Sequence, residues 1–305
     1  MEKNYQVQTL QELCSMIDLP EEVTQRLLAL ERSGEVSCVS EGIGDLAATE
    51  AESKTAEVTD SLCRALTDPE RWEDARKVLK EKNGADEDGM KMLLCMMHAM
   101  QHSHKLYIEE NISDQIFADT MKCFSRFVRE HMASFGTYGF DRDFWTGRQL
   151  SLLLFRLGEL EFEMISPADE EAESESSKKK ITLSVHIPSD ADLSPESCDA
   201  SFRMAESFFK EHFPEVSEGC FSCDSWLLSP ALKELLPPES RIMKFQSRFE
   251  VKHWNKEADA CLEWVFKRKD LPLCDLPEET SLQRKMKAYL LAGGQVGEAY
   301  GELRK

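Results

Sequence analysis

The sequence predicts an α/β (α+β) fold, in which a helical N-terminal domain of residues 1–140 precedes a mixed sheet with flanking helices in residues 141–305. Three observations support this. Residues 9–131 carry apolar side chains at helical spacing. After Phe135 and Gly136 the pattern changes to short alternating runs that are typical of strands. From residue 149 the predicted order is strand, strand, strand, helix, strand, helix, strand, strand, which fits a single mixed sheet.

The N-terminal helices are predicted from amphipathic spacing, capping residues and stop signals. Pro20 with two acidic residues opens the second helix, Asn83–Gly84 is a stop signal, and Ser113 is a good N-cap. Residues 33–54 are rich in Gly, Ser and Glu and are predicted to connect helices. The predicted helices are 9–17, 20–31, 57–66, 68–82, 88–107 and 113–131.

The second half is predicted to begin with a three-stranded meander. Strands 149–155 and 159–165 are joined by a tight turn, and the charged, low-complexity stretch 168–180 reads as a long mobile loop before strand 181–187. A helix at 194–213 follows, opened by Ser194 and Pro195. The remaining predictions are strand 220–228, a short helix 230–236, strands 242–251 and 260–268, helix 281–291 and an edge strand 295–301.

The charge balance argues against two classes of partner. Acidic residues outnumber basic ones 57 to 37, and the formal net charge is −20. Nucleic acids and anionic membranes both recruit basic surface, so neither is expected as the main partner. An anionic ligand held by a local basic or helix-end site remains compatible with this composition. The sequence leaves the oligomeric state unknown.

The ten cysteines are scattered along the chain, and the start lacks the apolar segment of a secretory signal. We therefore predict a cytoplasmic protein with reduced thiols. Cys220 and Cys223 have C-x-x-C spacing, which is also found in redox and zinc sites. Both fall in a predicted strand, where residues three apart point to opposite faces, and this geometry favours packed strand cysteines.

A histidine-rich stretch, HAMQHSH, contains His98, His102 and His104. His98 and His102 are one helical turn apart, as metal ligands often are. No nearby carboxylate completes the set before Glu109, and the H-E-x-x-H pattern of zinc hydrolases is absent. We expect no metal.

The central stretch is ITLSVHIPSDADLSPESCDASFRMAESFFKEHF, residues 181–213. It reads as a strand, a polar loop and a capped helix, and in many α/β folds ligands bind where a strand's C-terminal end meets a helix N-terminus. Together with SWLLSPALKELLPPESRIMKFQSRFEV and SLQRKMKAYLLAGG, it resembles a bacterial family of two-domain acyltransferases. Those proteins pair a helical N-terminal acyltransferase-type domain with a C-terminal domain similar to the Gcn5-related N-acetyltransferases (GNAT).

The resemblance implies transfer of an acyl group, with acetyl as the first expectation, from acyl-CoA to an amine or similar small nucleophile. The co-substrate is then acetyl-CoA or another acyl-CoA, and the partner a small-molecule acceptor. GNAT enzymes usually hold the CoA pyrophosphate on a glycine-rich loop, but loop 188–194 has no glycine and two acids, Asp190 and Asp192. Either the amides of Glu196, Ser197 and Cys198 at the helix start still bind the pyrophosphate, or CoA binding is lost or rearranged. The expected CoA-binding residues are Ile187, Ser189, Ser194, Glu196, Ser197 and Cys198.

Amine acylation needs a base for the ammonium proton and donors for the developing oxyanion. His186, at the end of its predicted strand, is the first candidate base; orienting the loop is the alternative role. Glu161 and Glu163 lie on the polar face of the neighbouring predicted strand, and each could be the base or simply face solvent. Asp224 would suit an acceptor ammonium.

Two further residues are candidates for substrate binding. Trp226 is predicted to share a strand face with Asp224, with core packing as its alternative role. Arg248 could hold a carboxylate or phosphate from a strand face, or could pair with a glutamate. Cys223 is not expected to be a nucleophile, since no histidine neighbour is implied. The function alternative to acyl transfer is a non-catalytic ligand-binding or regulatory protein that kept the fold and lost the CoA loop.

Overall fold

The computed structural model describes residues 8–34, 36, 61–165 and 181–304, and only the backbone of residues 217–220. Two compact units comprise residues 1–155 and 156–305. The predicted loop 168–180, the connection 37–54 and the first part of the predicted helix 57–66 lie outside the described residues. No helix in the described part of the chain is long and apolar enough to cross a membrane.

The first unit is helical, as predicted. Residues 61–65 form a short helical segment, and Thr9 and Ser113 cap α1 and α5 with their side chains. The predicted helix 113–131 is two helices with a turn residue, Lys122, between them. The helices are α1 (Leu10–Met16), α2 (Glu21–Ser33), α3 (Trp72–Asn83), α4 (Met90–Glu109), α5 (Asp114–Met121), α6 (Cys123–Phe135) and α7 (Asp143–Leu150).

Helix α4 is the centre of this unit and contacts α1, α2, α3, α5 and α7. Its sequence MKMLLCMMHAM is apolar around most of its circumference, which is typical of a helix surrounded by others. Tyr107 near its end is fully buried against Phe117 and Phe155. The methionines of α4 are therefore core side chains.

The second unit is built on a six-stranded mixed sheet with the strand order β1-β2-β3-β4-β6-β5. The strands β2 and β3 are antiparallel, β3 and β4 are parallel, and β6 is antiparallel to both β4 and β5. The strands are β1 (Leu154–Leu157), β2 (Leu160–Ile165), β3 (Ile181–His186), β4 (Val216–Ser225), β5 (Phe249–Asn255) and β6 (Glu298–Leu303).

Four helices accompany the sheet: α8 (Pro195–His212), α9 (Leu232–Leu235), α10 (Arg241–Gln246) and α11 (Ser281–Leu291). Helix α8 packs on one face of the sheet through Phe202, whose ring lies 5.8 Å from that of Phe162 and 5.2 Å from that of Phe221. The apolar residues of β2, β3 and β4 therefore point toward α8, and the polar residues that alternate with them point to the opposite face.

Three strand predictions were wrong. Residues 149–150 end α7, so β1 begins only at Leu154. Residues 242–246 lie in α10, because the Ser240 side chain accepts a hydrogen bond from the Met243 amide and caps a helix there. Residues 262–266 form a helical turn instead of a strand, with Leu262, Val265 and Phe266 facing the apolar cluster of Leu276 and Met286.

The last strand was placed correctly in the chain but wrongly in the sheet. The sequence predicted an edge strand at 295–301, whereas β6 lies between β4 and β5, and β5 is the edge. This difference matters for the site, because it brings side chains of β6 beside Asp224 of β4.

Candidate active site

The parallel strands β3 and β4 part at their C-terminal ends. Among the described residues, their last paired positions are Ser184 and Ser222, yet β3 continues to His186 and β4 to Ser225. We call this opening between the two strand ends the fork. It lies where the predicted loop and the N-terminus of α8 follow β3.

A histidine–carboxylate pair lies beside the fork. The Nε2 atom of His186 is 2.7 Å from the Oε2 atom of Glu163. Glu161 is directly opposite His186 in the register of β2 and β3, and Glu163 is opposite Ser184, so the predicted juxtaposition of both glutamates with these two β3 residues is confirmed. Glu161 and Glu163 are 2% and 9% exposed, which makes them buried carboxylates rather than solvent-facing ones.

The contact with Glu163 determines which nitrogen of the His186 imidazole can accept a proton. When Nε2 donates its proton to the Glu163 carboxylate, the lone pair of the neutral ring is on Nδ1. A carboxylate behind the ring also stabilises the imidazolium that forms when Nδ1 takes up a proton. Such an arrangement is chemically suited to a general base with its orienting group.

The same face of the sheet carries a row of polar side chains across five strands. Glu161 of β2 is opposite His186 of β3, Asp224 of β4 is opposite Tyr300 of β6, and Tyr300 is opposite His253 of β5. The Ser184–Ser222 pair brings His186 and Asp224 to the same level on the two sides of the fork. We call these five residues the polar row. Residues directly opposite each other in a sheet share a face, so the row faces away from α8.

Asp224 is exposed to solvent on one side and shielded on the other. This partial burial raises the pKa of its carboxyl, while the nearby imidazoles of His253 and His186 oppose the rise. Glu298, two residues before Tyr300, also has a raised pKa, caused first by burial and then by the charge of Asp224. The two carboxylates thus face the same space, and a cation placed there would relieve both.

Sequence reasoning missed Glu298 and Tyr300 as members of the site. Their signal is the alternation in Glu298–Leu303, which places Glu298, Tyr300 and Glu302 on one face. It could not be used without knowing that β6 pairs with β4. His253 falls between the predicted strands 242–251 and 260–268, whereas it belongs to β5.

Two of the predicted substrate-binding residues lie elsewhere than expected. Trp226 is not on a strand face with Asp224, because β4 ends at Ser225 and a 3-10 turn begins at Trp226. Its half-buried ring packs against the apolar cluster that includes Leu232 and Met286. Arg248 is not on a strand; it lies in the turn between α10 and β5.

Arg248 belongs to a set of arginine–aspartate contacts around the start of α8. Its guanidinium contacts the carboxylate of Asp199 and donates to the carbonyl of Pro195 at 2.9 Å. Arg156 is 2.7 Å from the Asp190 carboxylate, and Arg241 is 2.7 Å from that of Asp192. The acids of the loop that replaces the glycine-rich sequence are therefore paired with arginines.

Asp192 also organises the helix start. Its carboxylate accepts hydrogen bonds from the Ser194 amide and from the hydroxyls of Ser194 and Ser197, and this lowers the pKa of the Asp192 carboxyl. The Ser194 hydroxyl accepts the Ser197 amide, and the Cys198 amide donates to the Ser194 carbonyl. Two of the three amides expected to hold a pyrophosphate, those of Ser197 and Cys198, are thus used within the helix start.

The other predicted CoA-binding residues follow the end of β3. Ile187 is half-buried, Ser189 and Glu196 are exposed, and Cys198 is a buried free thiol whose pKa is raised by burial. The order strand, loop, capped helix is therefore confirmed for residues 181–213. This loop therefore does not present the set of free backbone amides that a glycine-rich loop presents to a pyrophosphate.

The surroundings of the cysteines and histidines outside the site indicate packing and pairing roles. Cys223 is free and fully buried on the α8 side of the sheet, and burial raises its pKa far above the ordinary value. Seven cysteines of the described part are free, but Cys95 is disulfide-bonded, so reduced thiols throughout were not the correct expectation. His104 contacts Asp114 at 2.8 Å, and the described residues contain no group of three or more potential metal ligands.

A sheet whose parallel central strands part beside a histidine–carboxylate pair, preceding a capped helix, has the architecture of the GNAT-like acyltransferases. Residues 154–303 match the model of the GNAT-like C-terminal domain, and residues 8–152 match that of the N-acyltransferase N-terminal domain. The chain therefore belongs to the family of two-domain acyltransferases that joins these two domains.

Solved structures share this fold over the whole chain. An acyltransferase in complex with decanoyl-CoA and teicoplanin has a TM-score of 0.74 and 22% sequence identity, covering 100% of this chain and 91% of that chain. An acyltransferase in complex with CoA and 10C-teicoplanin has a TM-score of 0.65 and 22% identity, covering 97% and 99%. A search of curated proteins found no match.

Proposed function

We propose that this protein transfers an acyl group from acyl-CoA to the amino group of a small-molecule acceptor. The observation that carries the proposal is the contact between His186 and Glu163 at the fork. An acceptor amine is an ammonium ion near neutral pH and must lose a proton before it can attack a thioester. His186, oriented by a buried carboxylate, is the group that can take this proton.

In the proposed reaction Nδ1 of His186 removes a proton from the ammonium, and the amine nitrogen attacks the thioester carbonyl carbon. The nitrogen of the tetrahedral intermediate loses a second proton as the intermediate collapses to the amide and the C–S bond breaks. Of the two protons that the nitrogen loses, one is taken up by the departing CoA thiolate and the other is released to solvent. Glu163 stabilises the imidazolium, and Asp224, across the fork, attracts the acceptor ammonium before the reaction. Glu161, which lies opposite His186, is proposed as a second carboxylate that stabilises the imidazolium.

The proposed CoA site follows β3 and reaches the start of α8. Ile187, Ser189, Ser194, Glu196, Ser197 and Cys198 are its proposed contacts, as the sequence predicted. Because the Ser197 and Cys198 amides are engaged in the helix start, we assign the main charge neutralisation to the arginines. Arg156, Arg241 and Arg248 exchange an aspartate partner for a phosphate, which is a better bidentate acceptor. Trp226 stays a proposed substrate contact at the edge of the fork.

The acyl group is proposed to be of medium length rather than acetyl. The supporting observation is that acyltransferases sharing this fold were solved with octanoyl-CoA and decanoyl-CoA. The acceptor is proposed to be an amino group on a small molecule, because one such neighbour was solved with teicoplanin. A cytoplasmic location stays a prediction.

The experiment is a thiol-release assay with acetyl-, octanoyl- and decanoyl-CoA against glucosamine, spermidine and teicoplanin. We expect acceptor-dependent thiol release that is fastest with the octanoyl or decanoyl thioester. His186→Gln should lower kcat by about 10²-fold or more, the range for loss of a general base, and Glu163→Gln by less. Ser184→Ala, on the same face of β3, is the matched control. Absence of acyl-CoA binding by calorimetry across the panel would reject the proposal.

A second candidate function is a non-catalytic ligand-binding protein. Two features of the loop favour this function. Residues 188–194 include no glycine, and the amides of Ser197 and Cys198 already donate hydrogen bonds within the helix start. This function predicts that a small ligand raises the melting temperature while no thiol is released with any acceptor. The thiol-release assay therefore separates the two.

A further inference from the structure

We propose that Glu298 selects the acceptor: together with Asp224 it holds one ammonium group of a diamine or polyamine while another amine of the same molecule reacts at His186. This inference rests on the proposed acyl transfer to an amine and names the class of acceptor for it. Its basis is the position of these three side chains at one end of the sheet.

The three side chains lie on one face of the sheet, at the end where the fork opens. His186 ends β3, Asp224 is one residue before the end of β4, and Glu298 begins β6. Asp224 is opposite Tyr300, and Glu298 is two residues before Tyr300, so Asp224 and Glu298 are diagonal neighbours. Diagonal neighbours are about 7–8 Å apart at the backbone, which is within reach of a long side chain. A cation placed between the two carboxylates can therefore contact both.

The start of β6 is fixed by packing, and the position of Glu298 is fixed with it. The Val296 carbonyl accepts hydrogen bonds from the hydroxyl of Ser229 and, at 3.0 Å, from Nε1 of Trp254. Gly297 has a φ of +68°, and a Cβ atom there would lie 2.3 Å from a backbone carbonyl oxygen of β5. Glycine alone meets both conditions. A rigid backbone holds the glutamate in one place, as a selective binding residue requires.

The electrostatics at this end of the sheet favour a bound cation. Partial burial raises the pKa of the Glu298 carboxyl, and the negative charge of Asp224 raises it further, while Lys269 opposes the rise. The Nζ atom of Lys269 lies 3.7 Å from the Asp259 carboxylate and 3.5 Å from that of Glu263, so those two carboxylates share its charge. An ammonium group between Asp224 and Glu298 would stabilise the ionised form of both.

The same electrostatics imply that the ammonium held there is not the one that reacts. Two carboxylates beside an ammonium stabilise its charged form and raise its pKa, which opposes the loss of a proton. The proposed base, Nδ1 of His186, is on β3, which lies about 4.8 Å from β4 where the two strands pair and farther away at the fork. The reacting amine is therefore a second nitrogen, and a short alkyl diamine such as putrescine spans this gap. A monoamine fills only one of the two positions.

The test compares putrescine with butylamine, which has the same carbon chain and a single amine, in the thiol-release assay with decanoyl-CoA. The wild type should show a kcat/KM about tenfold higher for putrescine, the order expected for one charge-assisted contact. Glu298→Gln should raise the KM for putrescine about fivefold with kcat nearly unchanged, and should leave the kinetics with butylamine as they are. Glu302→Gln removes the same charge from the same face of β6, farther from the fork, and should behave as the wild type.

Equal kcat/KM for the two acceptors in the wild type would overturn the inference whether or not any variant folds. An equal loss toward both acceptors in Glu298→Gln would also overturn it, because a structural role predicts that result. If the wild type transfers no acyl group to any amine, the proposed function fails by itself. Calorimetry then tests the inference directly: putrescine should bind the wild type and Glu302→Gln more tightly than butylamine does, and Glu298→Gln should lose this preference. A wild type that binds both amines alike would reject it.

Discussion

Individual side chains at the fork place two partly shielded carboxylates close to each other. The Asp224 carboxyl has a raised pKa because it is partly buried, and Glu298 adds a second charge beside it. Such an arrangement costs stability at neutral pH, and proteins commonly tolerate that cost at functional sites. Residue by residue, the site is therefore recognisable from its electrostatics as well as from its position.

This cost leads to a prediction for Asp224→Asn. A folded-state pKa above the unfolded value means that the carboxyl form is favoured in the folded protein, so ionisation destabilises it as pH rises. The variant should therefore melt at a higher temperature than wild type at pH 7.5. The gain should shrink as pH falls toward the ordinary aspartate pKa of about 3.9, where Asp224 is protonated in both states.

The measurement is a thermal melt of both proteins at several pH values. Asp275→Asn, at an exposed position away from the sheet, serves as the control and should give no gain. A variant that is less stable than wild type at pH 7.5 would mean that Asp224 is stabilising, contrary to the raised pKa. Acyl transfer to amines should fall in the same variant.

At the scale of single elements, the start of α8 combines a cap with the proposed phosphate site. Ser194 caps the helix, Asp192 bonds to both Ser194 and Ser197, and Arg241 pairs with Asp192. The glycine-rich loop of related folds offers bare amides, whereas this loop offers arginines held in place by aspartates. Under the proposal, a phosphate here is neutralised by arginine side chains instead of by backbone amides.

Removing the cap should weaken the helix measurably. Ser194→Ala leaves the Ser197 amide without its acceptor and should reduce the free energy of unfolding by about 1 kcal/mol. Urea denaturation would give this value. Ser207→Ala, an exposed serine in the interior of α8, is the control, because alanine there should be neutral or slightly stabilising. Equal losses for both variants would argue that the cap contributes nothing.

The arginines can be tested through ligand affinity. Arg241→Gln should weaken acyl-CoA binding about fivefold while leaving the melting temperature nearly unchanged, because its pair with Asp192 is exposed and contributes little stability. Calorimetry with decanoyl-CoA gives the dissociation constant. Arg203→Gln, an exposed arginine elsewhere on α8, should bind as the wild type does. If the affinity of Arg241→Gln for decanoyl-CoA is unchanged, the phosphate site does not include this loop.

Over the whole molecule, the net charge of −20 shapes the approach of both substrates. Long-range attraction draws a cationic acceptor toward the protein, and the screening length shrinks from about 30 Å at 0.01 M to about 10 Å at 0.1 M salt. Acyl-CoA is an anion, and the proposed site attracts it through the local positive charge of Arg156, Arg241 and Arg248.

We therefore expect kcat/KM for spermidine to fall several-fold between 0.01 and 0.3 M NaCl. A weakly charged acceptor, such as glucosamine above pH 8, should show a smaller decrease over the same range. Steady-state assays at saturating decanoyl-CoA would measure both. A salt dependence that is equal for the two acceptors would place the effect in the protein's stability or in CoA binding rather than in acceptor attraction.

Much of the fold follows from local patterns. Ser194 with Pro195, and Thr9 and Ser113, mark helix starts that the structure confirms, because capping depends on a few neighbouring residues. Residues 242–246 were misassigned because the cap at Ser240 was overlooked, whereas 249–251 do lie in β5. Apolar residues at 262–266 were misassigned because a short apolar run has no clear period, and packing on Leu276 and Met286 decided it.

The sequence by itself determined the strand, loop and helix of residues 181–213, the identity of His186, Glu161, Glu163 and Asp224 as candidates, and the family resemblance. Tertiary structure decided which of these residues meet. A strand's neighbours in a sheet are set by long-range pairing, which local sequence does not encode, so the placement of β6 between β4 and β5 could not be foreseen. That placement brings Tyr300 and Glu298 to Asp224, and the diagonal register of β2 and β3 brings Glu163 to His186.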